Sequence, residues 1–505
     1  MATAPPLTLV RATLAALAFC LVATLNSGGY RFGVGDQAFY LPAIERHLAP
    51  ESFPRDRMVI DDQDRLNVFT RVLASVIAKT GTPVESLFAA TYLLTLVLLV
   101  GASLSIARQL GLSRWAQVAL VAAMTLRHRV GLTGVNTLEG SMHPRVLAFA
   151  IGMAAVSAHL RSRSWLAIGL VALAAIVHPT TAVWFAVWLG VAIFVGEPRW
   201  RTPLSFAAGI TVGVFVRAIG WGPLADRAVR MDAEWLAVLA GKDYLFPTAW
   251  PASMWLVASL YVAVVVAIFV ARRSAGRLHP RETGLVTGAL VLVGIFVASL
   301  PWVAYGTALA VQLQISRLFW MLDALGTIYL AWAVADGWQR RDSSAARSPR
   351  PTGRAVAVAI ITVCAALGRG AYVMWIEHPG RPVLELSLPR TDWQGAMDWL
   401  KTTPTTTHVL ADPGHAWRYG TSVRVASSRD VYLEEVKDAA MAMYSRRVAM
   451  RVAERTKALG PFDQLTPRSA RDLARRFEID YLVTDRSLDL PLVYRNAQFF
   501  IYSLR

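Results

Sequence analysis

The chain has 505 residues, 55% of them hydrophobic and only 17% charged, with a mean hydropathy of +0.42; this is too apolar for a soluble chain of that length and points to a multi-span membrane protein. The formal charge of +17 suggests nucleic acid until it is located: residues 376–505 hold 19 Lys/Arg against 16 Asp/Glu, and the remaining surplus lies mostly in short Arg-rich loops between apolar segments. That pattern sets orientation in a membrane and is no phosphate-backbone footprint, so nucleic acid is excluded as a partner.

A span needs about 20 mostly apolar residues. In chain order such segments are read at 7–25, 85–107, 114–130, 145–160, 165–178, 181–196, 203–220, 251–271, 283–302, 314–335 and 355–375, about 11 in all. Residues 7–25 could be a signal peptide, but Arg11 interrupts the run and no small-x-small site follows, so a retained first span is expected. The short segments between 165 and 196 read as a hairpin broken at His178-Pro179. Cys20 and Cys364 fall inside apolar segments, which argues against a disulfide framework. Every second connection is basic: Arg108 and Arg114; Arg161 and Arg163; Arg199 and Arg201; Arg272, Arg273, Arg277 and Arg281; then Arg340, Arg341, Arg347, Arg350 and Arg354. These are read as cytoplasmic loops, which places the N-terminus inside and everything after Trp375 outside. The expected fold class is an α-helical polytopic membrane protein of the cell (inner) membrane. Residues 1–375 form the transmembrane part and residues 376–505 an extracytoplasmic α/β domain.

The opposite connections are then the outer ones. The first, 26–84, is long and acidic and is expected to hold one or two interfacial helices, the clearest at the amphipathic stretch 65–79. The second is GLTGVNTLEGSMHPR, 131–145, and the third, 221–250, carries Trp221, Trp235 and Trp250. Residues 342–353 read as a cytoplasmic linker. Gly209/Gly213 and Gly284/Gly288 read as close helix packing. In the tail, Asp392–Lys401, 434–458 and 467–478 are expected to be helical, and His408–Ala411, Val423–Ala426, Asp480–Thr484 and Phe499–Ser503 to be strands.

Chemistry is sought on the outer face. Asp36 opens an acidic stretch with Asp56, Asp61, Asp62 and Asp64. A carboxylate beside a low-dielectric slab needs a cation or metal to stay ionised, and can then take a proton from an acceptor or ligate a divalent metal. The alternatives are a solvated loop residue or the N-cap of the segment that follows. Glu139, His143 and Arg145 put an acid, an imidazole and a guanidinium at the mouth of one span, where Glu139 reads as a metal ligand or base and Arg145 as a phosphate clamp; the alternative is a helix start at Pro144 with Arg145 reaching to the interface. Arg127, His128, Arg129, His178, Arg217 and Arg317 fall at outer span ends, where they either anchor the helices or converge on a phosphorylated head group. Arg418 sits in a tail cluster with Asp412, His415 and Arg424, either a ligand site or ordinary loop polarity. Gly33–Ala38 matches a dinucleotide fingerprint in letters only, since a membrane span precedes it rather than a strand. No HExxH, CxxC pair, P-loop or GxSxG is present.

With these residues in view, the chain resembles the GT-C superfamily of membrane glycosyltransferases, which includes oligosaccharyltransferase catalytic subunits, protein mannosyltransferases and aminoarabinose transferases. The likeness lies in an acidic first outer loop soon after span 1 (GDQAFYLPAIERHLAPESFPRD), an acid before span 4, about 11 spans and a soluble tail beginning DWQGAMDWLKTTPTTTHVLADPGHAWRYG. The resemblance implies a sugar carried on polyprenyl phosphate and a lipid, glycan or protein acceptor. It implies a catalytic carboxylate at Asp36 and a second acid at Asp56 or Glu139. From their own positions, His143, Arg145, His178, Arg217, Arg317 and Arg418 are expected to contact substrate, with Arg145, Arg217 and Arg317 holding the lipid phosphate. The resemblance names no certain cofactor; a divalent metal, if held, would take Asp36 and Glu139. The chain departs from the pattern in lacking a Trp-Trp-Asp in the tail and in carrying Asn136-Thr-Leu-Glu139 where the second loop would hold a DxD. The rival expectations are a transporter or flippase of lipid-linked saccharides, and a non-catalytic envelope assembly protein.

Overall fold

The computed structural model describes residues 9–65, 67–126, 129–131, 133–222, 224–337 and 353–505. Among them, seven helices are long and apolar enough to cross a membrane, and Thr13–Asn26, Pro144–Leu160 and Ser164–Val177 are shorter apolar helices. The segment expected at 114–130 is a helix only over Arg114–Thr125, so it falls short of a span's length. The chain is a multi-pass helical membrane protein with a sheet-containing tail. Arg127 and His128, and residues 342–352 of the expected linker, lie outside the described residues.

Helices Ser164–Val177 and Pro179–Gly196 abut at His178, whose Nδ1 meets Thr181 Oγ1 at 2.9 Å and caps the second helix. This is the expected break. Close packing holds at one glycine pair only. A Cβ at Gly284 would lie 2.5 Å from the Ala192 carbonyl oxygen and one at Gly288 2.4 Å from that of Trp188, whereas Gly209 and Gly213 face open space. Helix Arg201–Trp221, which carries the latter pair, buries none of its residues within the protein.

Among the described residues, four of the basic connections meet. Arg272 donates to the Leu110 carbonyl at 2.9 Å and pairs with Glu282 at 2.6 Å. Arg161 reaches Ser105 at 2.8 Å, and Arg281 and Ser164 both bind Glu197. Arg161, Arg272 and Arg281, from three of the basic connections, are thus tied to the turns of neighbouring connections.

The acidic segment 26–84, read as the first outer loop, folds as three helices, Gln37–Leu48, Arg57–Asp64 and Val68–Thr80, where one or two are expected. The tail packs directly onto it. A parallel pairing of Tyr30–Arg31 with Leu384–Glu385 ties the end of the first span to the start of the tail. The tail sheet runs in the order Asp430–Val431, His408–Leu410, Tyr481–Thr484, Phe500–Ser503, Leu492–Arg495, parallel for the first three strands and antiparallel for the last two. Val423–Ala426, expected as a strand, lies in a helix, Val423–Ser427, capped by Ser422, whose hydroxyl accepts from the Arg424 N–H at 3.2 Å. The expected helix 434–458 is broken between Ala442 and Arg446.

Candidate functional site

A cavity of about 910 Å³ opens where the first outer loop, the second outer loop, several helix ends and the tail meet. Asp36, Glu139, His143, Arg145, His178 and Arg317 all line it. Six residues spread over some 280 positions of sequence are thus brought to one place.

Asp36 sits at the N-cap position of Gln37–Leu48 but makes no side-chain cap bond. Instead Gln37 folds back, accepting from the Gly33 N–H at 2.6 Å and holding the turn. The Asp36 carboxylate is left for cations: Lys437 Nζ lies 2.9 Å from Oδ1, and Arg145 Nη1 lies 2.5 Å from Oδ2. The second guanidinium arm of Arg145 binds Glu139 Oε1 at 2.7 Å, and His143 Nε2 lies 2.8 Å from Glu139 Oε2. Arg145 is therefore a bridge between two acids, the geometry its planar fork favours. Burial alone would push the Asp36 carboxyl up, but Lys437 and Arg145 outweigh it and hold the group well below the usual carboxylate range. Glu139 behaves likewise: burial opposes ionisation, while Arg145 and His143 drive the group far below its ordinary value.

All four carboxylate oxygens of this pair thus already face a guanidinium, ammonium or imidazole. No group of three or more His, Cys, Asp or Glu among the described residues is placed to hold a metal. The donor set as folded does not fit a divalent cation between Asp36 and Glu139, because Arg145 occupies the bridging position.

On one side of this centre lies Arg317. It forms no ion pair among the described residues, and its Nε is buried without a hydrogen-bond partner. Tyr244 and Tyr444 flank it: Ser316 donates to the Tyr244 carbonyl at 2.9 Å, and Gln314 donates to the Tyr444 hydroxyl at 3.0 Å. Lys242 lines the same cavity, with Lys437, Asp36 and Glu435 as its charged neighbours, and donates to the Val436 carbonyl at 3.4 Å. Buried cations without counter-charge are costly, so such a cluster suits an anionic ligand.

Three expected site residues lie elsewhere. Asp56 is fully buried outside the cavity. It accepts from Arg424 Nε at 2.7 Å and the Val431 N–H at 2.9 Å, and is paired with Arg451. It joins the first outer loop to the tail, because a buried carboxylate is held by the nearest guanidiniums rather than by the cavity's water. Arg217 is exposed on the outward helix and stacks over Trp221 at 5.7 Å. Arg418 is mostly exposed and pairs with Asp412. Conversely, Lys242, Lys437, Tyr244 and Tyr444 were not among the expected residues. A signal for the first two exists: the chain has only five lysines among its 51 basic residues, and two of the five line this cavity.

In comparisons with known proteins, no family model matches the chain, and no curated protein sequence matches it. Among solved structures the chain is similar to the apo oligosaccharyltransferase of Archaeoglobus fulgidus, with a TM-score of 0.46 and 12% identity over 95% of this chain and 70% of that one. It is also similar to the arabinofuranosyltransferase AftD from Mycobacteria, with a TM-score of 0.46 and 16% identity over 99% of this chain and 40% of that one.

Proposed function

We propose that the protein is an integral membrane glycosyltransferase that moves a sugar from a polyprenyl-phosphate donor to an acceptor on the extracytoplasmic side. The observation that carries this reading is one cavity holding an ionised carboxylate, Asp36, beside a separate cationic pocket around Arg317. The sequence resemblance to GT-C glycosyltransferases and the periodic arginines support it.

In this reading the donor phosphate sits against Arg317 and Lys242, where the tyrosine hydroxyls add neutral donors. The acceptor hydroxyl reaches Asp36. Its oxygen attacks the anomeric carbon from the face opposite the phosphate, the bond from that carbon to the phosphate oxygen breaks, and configuration inverts. The proton passes to Asp36, and the bond electrons stay on the departing lipid phosphate, whose charge the cations stabilise. A carboxylate pinned by two cations is a weak base, so the acceptor must displace Lys437 from Oδ1 as it enters. Arg145 keeps Oδ2 and Glu139 in register throughout, a positioning role in place of the phosphate clamp first expected of it. The reading has 1–375 as the membrane part, with the N-terminus cytoplasmic, and 376–505 as an extracytoplasmic domain completing the cavity.

The test is transfer of labelled sugar in reconstituted vesicles. Asp36→Asn should lower the rate by at least about 100-fold, the scale of general-base loss, while Arg317→Ala should weaken donor binding more than acceptor binding. Wild-type transfer in Asp36→Asn removes the base, and the reverse binding pattern removes Arg317 from the donor pocket.

A further inference from the structure

The cavity has a second cationic end that the proposed chemistry leaves unused. Its walls come from three distant segments: Arg31 just after the first span, His378 and Arg381 just after the last, and Trp417 in the tail. They are close-set. A Cβ on Gly28 would lie 3.0 Å from the His378 ring and 3.4 Å from Arg381 Nη1, and one on Gly420 would lie 3.0 Å from Arg31 Nη2. One carboxylate, Glu385, meets this group, at 3.2 Å from Arg31. Arg381 spends a donor on the Gly28 carbonyl at 3.4 Å. Two guanidiniums and an imidazole therefore face two acids, Glu385 beside Arg31 and Glu377 beside His378.

This end is distinct from the Arg317 pocket. The charged or titratable neighbours that act on Arg381 are Arg31 and Glu385, while those acting on Arg317 are Arg145, Tyr244, Tyr444 and Asp36. The Asp36–Glu139 centre lies between them, since the Gly140 carbonyl accepts from the Arg31 N–H at 2.7 Å while Asp36 is among the groups acting on Arg317. Trp417 completes the end. It is 70% exposed, yet it lines the cavity. It stands three residues before Gly420, whose Cβ would lie 3.0 Å from Arg31 Nη2, so an exposed indole near this guanidinium offers a platform for a sugar ring, whose axial C–H groups pack on an aromatic surface.

We infer that this lobe is the acceptor subsite, and that it selects a saccharide bearing an oxyanion, a carboxylate or a phosphate, held by Arg31 and Arg381 with a sugar ring on Trp417. The assignment rests on the glycosyltransferase reading for the word acceptor; the binding itself does not.

The experiment is calorimetric binding to the full chain in nanodiscs without donor. The probes are a disaccharide ending in a uronic acid, the same disaccharide with that carboxyl reduced to the alcohol, the reduced form carrying a phosphomonoester, and inorganic phosphate. At least one charged saccharide should bind ten-fold or more tighter than the reduced form, and which one does identifies the oxyanion. Arg381→Ala should erase that preference, a loss of about 10- to 100-fold for one charge-assisted bond. Trp417→Ala, at an exposed site that folding does not depend on, should weaken every saccharide and leave inorganic phosphate unchanged. Equal binding of charged and reduced forms, or no binding of any saccharide, overturns the proposal. So does indifference to Trp417→Ala, which would make the lobe a bare anion pocket such as a seat for the donor phosphate. Because no donor is present, a failure of transfer in vesicles leaves these outcomes intact, and the reverse also holds.

Discussion

Replacing Asp56 by Ala should loosen the tail from the first outer loop while leaving the cavity's own residues in place. In the intact protein, Asp56 Oδ2 accepts from Arg424 Nε at 2.7 Å and from the Val431 N–H at 2.9 Å, and Oδ1 faces Arg451. Arg424 retains Asp438 after the change, at 2.7 Å, so it keeps a counter-charge. Arg451 keeps only the Arg55 carbonyl at 2.8 Å and becomes a buried cation without an acid. Breaking a buried network from one side costs about 3–5 kcal/mol. At about 1.4 kcal/mol per factor of ten, tail docking should weaken by at least about 100-fold. Hydrogen exchange on the chain in nanodiscs reads this directly, as faster exchange in 423–455 with helices of the membrane bundle unaffected. Asp56→Ala/Arg451→Met should recover part of the loss, because no orphaned charge remains. Unchanged protection in Asp56→Ala refutes the clamp. Lost transfer with the tail still protected would instead put Asp56 in the chemistry, as the sequence resemblance implies.

Asp430 makes the same seam pH-dependent. Burial, then the Asp56 charge, push its carboxyl up to about 7. A raised folded value means its contribution is complete below the unfolded carboxylate range and is lost as pH rises through about 7, so the tail should dock more tightly at pH 6 than at pH 8 by hydrogen exchange, and Asp430→Asn should flatten that difference. Lys437→Met removes one of the two cations that hold Asp36 down, so the pH–rate profile should gain an acid limb that the parent lacks over the same range; identical profiles would show that Lys437 does not govern Asp36. Gly288→Val must displace the Trp188 carbonyl, which a Cβ would approach to 2.4 Å, and should cut the yield of folded protein severely, while Gly209→Val, with nothing within 4 Å, should be tolerated; equal yields would contradict the packing.

The features legible in the sequence were those set by local, additive physics. Apolar run length placed most of the membrane helices, and arginine periodicity placed the connections that do cluster, such as Arg161, Arg272 and Arg281. Six candidate residues converge on one cavity because the loops after the first span and before Pro144 and the helix ends at His178 and Arg317 meet there. Asp56 and Arg217 were misplaced because nothing local distinguishes an acid or base that turns into a seam, or out toward lipid, from one that turns into a cavity. Lys437 was invisible for the opposite reason: its place depends on how the tail docks, a contact 401 positions long. Residues 423–427 alternate like a strand, but a serine cap and burial against the first outer loop won over β propensity.

The Asp36–Lys437 pair also bears on how the protein comes into being. The acid emerges early in translation and its ammonium partner follows 401 residues later. A polypeptide halted between the two inserts its helices and displays the carboxylate, but the neutralising charge and the indole platform are both missing. Nascent or clipped copies therefore cannot assemble the finished cleft, and completion of the last quarter of the chain becomes the step that switches a threaded bundle into a working one.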